Sequence, residues 1–296
     1  MSLPLSSRIA LITGAASGLG RATAERFVKQ GAKVVLCDLP SSEGLALEQA
    51  LLKEASSSNS SNSSSNSNSN NNAAAIFVPT DVTQPEQVTE ALNAAERLYG
   101  KSVNTVVNCA GIVLAEKTVS SKAGSVHNVH DLDRFEQVMH VNLVGTFNVI
   151  RLAVERMVKA KEAAATVTDN NSYDNTIEYG TIVNTASIAA YDGQMGQVAY
   201  SASKGAIVGM TLPLARDLAS YGIRVNTIAP GLFRTPLLEG LPKHVQNELA
   251  QQVPFPSRLG HSDEFAQLVQ SIVENPMINA EVIRIDGGIR MPFLKL

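Results

Sequence analysis

The chain has few cysteines: Cys37 and Cys109 are the two in 296 residues. Two thiols make no disulfide framework and point to a reducing compartment. No apolar stretch approaches the roughly 18 residues needed to cross a bilayer, so no transmembrane helix is expected. Excess positive charge is missing as well. Lys and Arg total 24 against 27 Asp and Glu, a net charge of −3. That balance excludes a strongly basic nucleic-acid binder, and direct nucleic-acid binding is not expected. Met1 to Ser7 lack the basic and apolar regions of a secretory signal, and no mitochondrial presequence is visible. No internal repeat is found, and no metal site is expected.

What the chain has is apolar residues, 44% of the total, in short runs that alternate with helix-length segments. Strands are expected at 9–13, 33–38, 76–79, 105–108, 181–185, 224–228 and 281–285. Helices are expected near 19–30, 43–55, 84–99, 132–159, 198–221 and 262–275, with Gly31 closing the first. Continuous apolar strands separated by helices imply a parallel sheet covered on both faces. The expectation is a single α/β domain over 1–296, a Rossmann-like doubly wound sheet of about seven strands. Irregular stretches fall at 115–130, 163–179 and 231–256. Residues 56–72 are Ser or Asn without exception. Such a tract cannot contribute to a core, and it reads as a disordered surface insertion within the domain.

Thr13-Gly14-Ala15-Ala16-Ser17-Gly18-Leu19-Gly20 lies between the first strand and first helix. Its glycines allow a tight turn, close backbone approach to a pyrophosphate and close helix–strand packing, and the helix N-terminus favours phosphate. Asp38 ends the second strand, 18 residues beyond Gly20. A carboxylate there accepts hydrogen bonds from the ribose hydroxyls and repels a 2′-phosphate. No Arg or Lys occupies positions 15, 16, 39 or 40, so NAD is expected over NADP. Asp81, followed by Val82, is read either as a contact to the adenine amino group or as a helix N-cap. Asn108-Cys109-Ala110-Gly111 ends the fourth strand with small residues, as suits a backbone passing a cofactor. Cys109 reads as a packing residue rather than a nucleophile, since no cationic neighbour in sequence activates it.

Tyr200 and Lys204 stand one turn apart on the same helix face. A tyrosine pKa near 10 is too high for a base at neutral pH, and a nearby ammonium lowers it. Taken alone, such a pair is as readily a solvated helix face. Ser187, thirteen residues upstream, follows the fifth strand, where its hydroxyl can hold a substrate oxygen beside Tyr200.

With these residues in view, the chain resembles the short-chain dehydrogenase/reductase family of the NAD-dependent type. The likeness rests on the Gly14, Gly18, Gly20 turn, Asn108-x-Ala110-Gly111, Asn142, Ser187, Tyr200-x-x-x-Lys204 and Pro230-Gly231, and it spans about residues 8 to 290. It implies Tyr200 as general acid/base, Ser187 as the orienting hydroxyl, and Lys204 as the group that lowers the tyrosine pKa and holds the nicotinamide ribose. Asn142 would anchor a proton-relaying water. Further cofactor contacts are implied for Pro230, Phe233 and Thr235, and a substrate contact for Gln197.

Stretches 191–197, 207–213, 229–233, 252–260 and 275–291 are similar to a mitochondrial, homotetrameric branch of that family. Its members oxidise 3-hydroxyacyl-CoA, including branched short-chain acyl groups, and hydroxysteroids. The resemblance therefore implies fatty-acid metabolism in the mitochondrial matrix, with the cytoplasm as the other location. Two other readings stay open: a non-catalytic scaffold in a mitochondrial tRNA-processing complex, and a 3-oxoacyl reductase, against which Asp38 argues. The Ser/Asn tract, Arg234 in place of a small residue, and 163–179 depart from the branch. Residues 231–250, with Leu232, Phe233, Leu237, Leu238 and Leu241, read as an apolar substrate lid or as a permanently packed surface helix. The helices near 132–159 and 198–221 look apolar on more than one face, which suggests a symmetric oligomer.

Overall fold

A computed structural model describes residues 4–59, 73–122, 125–167 and 176–291. Seven parallel strands form one sheet: β1 (Ile9–Thr13), β2 (Lys33–Asp38), β3 (Ala75–Pro79), β4 (Thr105–Asn108), β7 (Gly180–Thr185), β8 (Ile223–Pro230) and β9 (Val282–Ile285). Their spatial order is β3-β2-β1-β4-β7-β8-β9. The chain works outward from β1 in one direction and from β4 in the other, which opens a crevice at the carboxyl ends of those two strands. Register keeps those ends level, since Thr13 pairs with both Cys37 and Asn108, and Asn108 pairs with Asn184.

Side-chain alternation on β1 divides the core. Ile9 and Leu11 pack towards α3 (Pro85–Tyr99), α5 (Thr146–Val167) and α6 (Val198–Leu218). Ala10 and Ile12 pack towards α1 (Gly18–Lys29), α2 (Gly44–Asn59) and α9 (Ser262–Glu274). This period of two, with both faces apolar, is why the strands read as unbroken hydrophobic runs. Every residue of β1 and of β8 is buried.

Four details differ from the sequence reading. Helix α2 continues through Asn59, so the first four residues of the Ser/Asn tract are helical. Ser56 and Ser57 donate back to the carbonyls of Leu52 and Glu54, which lets serine continue the helix. Residues 60–72 lie outside the described residues. The stretch 115–130 holds an antiparallel hairpin, β5 (Val119–Lys122) with β6 (Ser125–Val129). The single helix expected over 132–159 is α4 (Leu132–Met139), a π-helical turn (His140–Gly145) and α5. Of the 163–179 stretch, the first residues complete α5, and 168–175 lie outside the described residues.

The 231–250 segment carries α7 (Pro236–Glu239) and α8 (Lys243–Gln251). Buried Gln246 of α8 donates to the carbonyls of Glu239 and Leu241, which ties the two helices together. Among the described residues no helix is long and apolar enough to cross a membrane, and no His/Cys/Asp/Glu group could hold a metal.

Candidate active site

A cavity of about 570 Å³ runs along the carboxyl edge of β1, β2, β4, β7 and β8. Gly14, Ser17, Gly18, Leu19 and Gly20 form one wall. Gly14 has φ +63°, and a Cβ there would lie 2.8 Å from the Ala110 nitrogen. A Cβ on Gly20 would drive into the Gly14 carbonyl. These two positions need glycine for conformation and for close approach respectively. Thr13 Oγ1 accepts from the Cys109 and Ala110 amides, both at 3.2 Å, and so fixes the end of β4 against the turn.

Asp38 lines the same cavity with its carboxylate already set. Oδ2 accepts from the Ala16 amide at 2.9 Å and Oδ1 from the Leu39 amide at 2.8 Å. Asp81 and Val82 also line it. Asp81 Oδ1 accepts from the Thr83 amide and hydroxyl, at 2.9 and 2.8 Å, in a turn ahead of α3. It is not the N-cap of that helix, because Gln84 takes that place. The turn and a cavity-facing position coexist.

Cys109, Ala110 and Gly111 lie on the cavity wall, whereas Asn108 lies behind it. Asn108 is buried, and its Nδ2 donates to Asn184 Oδ1 at 2.9 Å, so its side chain ties β4 to β7 instead of reaching into the cavity. Burial pushes the Cys109 thiol up to about 11, and its sulfur accepts from Thr185 Oγ1 at 3.5 Å. A thiol so raised is no nucleophile at neutral pH, in line with packing.

Asn142 is also fully buried and off the cavity wall. Its Oδ1 accepts from the Ile112 amide at 2.8 Å, and its Nδ2 donates to the Ile112 carbonyl at 2.9 Å and to Ser203 Oγ at 3.0 Å. A Cβ on Gly111 would lie 3.0 Å from Asn142 Oδ1 and 3.5 Å from Lys204 Nζ, so those two side chains converge behind Gly111.

Ser187, Tyr200 and Lys204 share the cavity. Ser187 caps the short 3-10 turn Ile188–Ala190, with Oγ accepting from the Ala189 amide at 3.1 Å. Lys204 Nζ donates to the Thr185 carbonyl at 2.8 Å and stands 5.8 Å from the Tyr200 ring centroid. Burial pushes the Tyr200 hydroxyl above its usual value, against which the Ser187 hydroxyl pulls down. Burial likewise pushes the Lys204 ammonium down to about 8. The lowered tyrosine pKa expected from the Tyr–Lys spacing is therefore absent from the protein by itself. Burial dominates the shift, and the neighbouring ammonium is itself poorly solvated and directed at a carbonyl.

Pro230, Gly231, Phe233 and Thr235 close the cavity from β8 onward. Phe233 is buried in a T-shaped contact with Phe265, and Thr235 Cγ2 would meet a Gly18 Cβ at 3.4 Å. Leu238 reaches the cavity, while Leu232 lines a smaller side pocket. The side chain of Leu237 lies outside the described residues. Arg234 is exposed and lines neither pocket. Gln197 is not brought to this site. Its Oε1 accepts from the Gln194 amide at 2.9 Å, and it lines an open groove beside the β5–β6 hairpin instead. Ile112, Val113, Gln137, Val141 and Thr185 also line the cavity. They belong to no spaced motif; Ile112, Val113 and Thr185 lie at or just beyond strand ends, while Gln137 and Val141 come from α4 and the π-helical turn.

The glycine turn, the set carboxylate and the crevice at the sheet's reversal point fit a dinucleotide, and together they define a dinucleotide-binding α/β domain. The chain belongs to the short chain dehydrogenase family, whose model matches residues 8–246. It is thus an oxidoreductase that uses a nicotinamide cofactor. Human 3-hydroxyacyl-CoA dehydrogenase type-2 is 52% identical over 283 residues, covering 96% of this chain and 95% of that protein. The crystal structure of 3-hydroxyacyl-CoA dehydrogenase type-2 from Mycobacterium avium superposes with a TM-score of 0.76 at 36% identity, covering 96% of each chain. A 3-oxoacyl-[acyl-carrier protein] reductase from Brucella melitensis with bound NAD has a TM-score of 0.72 at 30% identity, covering 98% of this chain and 95% of that one.

Proposed function

We propose that this chain is an NAD-dependent 3-hydroxyacyl-CoA dehydrogenase. The observation that carries the reading is the convergence of Ser187, Tyr200 and Lys204 in the cavity that Asp38 borders. The substrate class comes from the relatives' names and their likeness along nearly the whole chain. NAD, rather than NADP, is supported by the Asp38 carboxylate, held by two amides where a 2′-phosphate would be repelled.

Oxidation of a secondary alcohol removes a proton and a hydride, and bound NAD supplies the hydride acceptor. Tyr200 Oη, as the phenolate, takes the substrate hydroxyl proton. Ser187 Oγ, on the wall of the same cavity, holds the same substrate oxygen. Lys204 provides positive charge one helical turn below Tyr200, favouring the phenolate during proton transfer. Asn142 acts indirectly, since its amide fixes the Ile112 backbone that borders the substrate end. Ile112, Val113, Val141 and Leu238 supply an apolar surround for the acyl group.

The same reading extends to hydroxysteroids as a second substrate class, to a homotetramer, and to the mitochondrial matrix. Exposed Leu132, Val144 and Phe147 along α4 to α5 support association between subunits.

The test is reduction of acetoacetyl-CoA with NADH and with NADPH by wild type and Tyr200→Phe. Wild type should turn over with NADH in preference, and Tyr200→Phe should lose nearly all turnover while still binding NADH. Near-wild-type activity of Tyr200→Phe overturns the assignment of the base. A clear preference for acyl-carrier substrates with NADPH would instead make the chain a 3-oxoacyl reductase.

A further inference from the structure

Ser187 is held from below by its strand, but the turn that follows it is held from the side. Within that turn the Tyr191 and Asp192 amides both donate to the Ile188 carbonyl, at 2.9 and 2.8 Å. Asp192 Oδ2 then accepts from Arg284 of β9 at 2.6 Å. Arg284 makes three further contacts. Its Nε donates to Asp286 Oδ2 at 2.7 Å, its Nη2 to the Ile289 carbonyl at 3.0 Å, and its guanidinium lies 5.4 Å from the Tyr191 ring centroid. Asp286 in turn packs on the cavity floor, for a Cβ on Gly231 would lie 2.7 Å from Asp286 Cβ, and the Gly231 amide donates to the Ile285 carbonyl. Ile188 shares an apolar cluster with Val253 and Ile289, so packing joins the same parts that the ion pairs join.

We propose that Arg284 and Asp192 form a clamp that positions Ser187 relative to Tyr200. The proposal rests on the reading of Ser187 as the hydroxyl that orients the reacting oxygen. Neither Arg284 nor Asp192 lines the cavity, so both are positioning residues that act through the serine turn. The clamp adds a side-chain link between two walls that the Ala186 amide already ties through the Ile228 carbonyl. One is the turn after β7, and the other is the Pro230–Gly231 floor after β8, reached through β9. The arrangement suits precision. The side chains of Arg284, Asp192 and Asp286 are 20%, 17% and 8% exposed, and a planar guanidinium with two carboxylates defines direction as well as distance. The Arg284 bond holds the Asp192 carboxyl below its usual range, which accords with a persistent pairing.

The experiment measures kcat for acetoacetyl-CoA, the dissociation constant of NADH, and melting temperature in Arg284→Met and Asp192→Asn, each also combined with Ser187→Ala. A displaced hydroxyl should lower kcat about 10- to 100-fold in either single variant. NADH binding should stay within about twofold, because the dinucleotide half of the cavity is untouched. In the Ser187→Ala background the same substitutions should lower kcat no further, since the residue they position is gone. Wild-type kcat in both variants, or a fall that persists undiminished with Ser187→Ala, overturns the clamp. If Arg284→Met does not fold, Asp192→Asn decides alone, being the same size and partly exposed. Tyr200→Phe run in parallel separates the two ideas: full activity there overturns the site itself, and its loss with a normal Asp192→Asn overturns only the clamp.

Discussion

Lys204→Met should stabilise the fold while abolishing turnover. Lys204 is 6% exposed, and among the described residues its hydrogen bond goes to the Thr185 carbonyl at 2.8 Å. Burial lowers its pKa from the ordinary 10.5 to about 8. A shift of that size corresponds to about 3 kcal/mol of unfavourable burial of the charged form. Methionine has nearly the same length and no charge. It removes that cost but leaves the Thr185 carbonyl without its donor, which costs about 1–3 kcal/mol. The net expectation at pH 7 is a gain of about 1 kcal/mol.

The pH dependence gives the sharper test, because Lys204 is the lysine case in which the folded pKa lies below the unfolded one. Below pH 8 both states carry the proton, and the wild type bears the full cost. As pH rises from about 8 towards 10.5, only the unfolded chain keeps the proton, so wild-type stability rises. The Met variant has no such titration, and every other group is common to both. Between pH 7 and 9.5 the stability difference should therefore move by about 2 kcal/mol in favour of wild type. Urea denaturation of both proteins at half-unit pH steps measures it. A difference that stays constant across that range refutes the buried-ammonium account.

Asp38→Ala should reduce the preference for NADH over NADPH at least tenfold in kcat/KM, about 1.4 kcal/mol, because the carboxylate that selects the ribose is lost. An unchanged ratio in a two-cofactor assay would remove Asp38 from that role. Glu178→Gln should cost about 3–5 kcal/mol in denaturant unfolding, since Glu178 takes hydrogen bonds from both Arg8 and Arg224, and all three side chains are at most 8% exposed. Burial alone would raise its carboxyl, but the Arg224 bond and the Arg8 charge turn the shift downward. This contribution is present above the ordinary carboxylate pKa and is lost as pH falls through the lowered one. Deleting residues 60–72 should leave kcat and KM for acetoacetyl-CoA within about twofold, because the tract is far in sequence from Ser187, Tyr200 and Lys204. A large loss would show that the tract contributes to the site.

Strand pattern made most of this fold legible. Buried parallel strands show as apolar runs, and the ends of those runs located Gly14, Asp38 and Ser187 along one edge. Interruptions were less legible. The π-helical turn at 140–145 leaves little mark in hydrophobic periodicity, because its buried residues are Asn142 and Gly145 rather than apolar side chains. The β5–β6 hairpin is exposed throughout β6, so its residues lack the alternation that a half-buried strand shows. Within the site, spacing placed Tyr200 and Lys204 on one helix face but could not report how deeply both are buried. Depth decides the direction of their pKa shifts. Gln197 and Asn108 illustrate the same gap, since the family motif names the residue and only packing says which way its amide turns.

The site is assembled at some cost to the apoprotein. Lys204 is buried with one carbonyl for a partner, and the Tyr200 hydroxyl is desolvated beside it. Asn108 Oδ1 and Asn184 Nδ2, at the carboxyl ends of neighbouring strands, are buried without protein partners among the described residues. Away from the cavity the polar groups fare better: Arg224 alone donates to Glu178, Thr181 and the carbonyls of Ile272, Val273 and Ile278. A fold that satisfies its buried cation so fully at one end of the sheet is able to do so at the other. The desolvation of Lys204 and Tyr200, both on the cavity wall, is what a dinucleotide and a polar substrate oxygen would relieve on binding. Lys204→Met, by relieving that desolvation in advance, should stabilise the apoprotein and gain less than wild type from added NADH in a thermal shift.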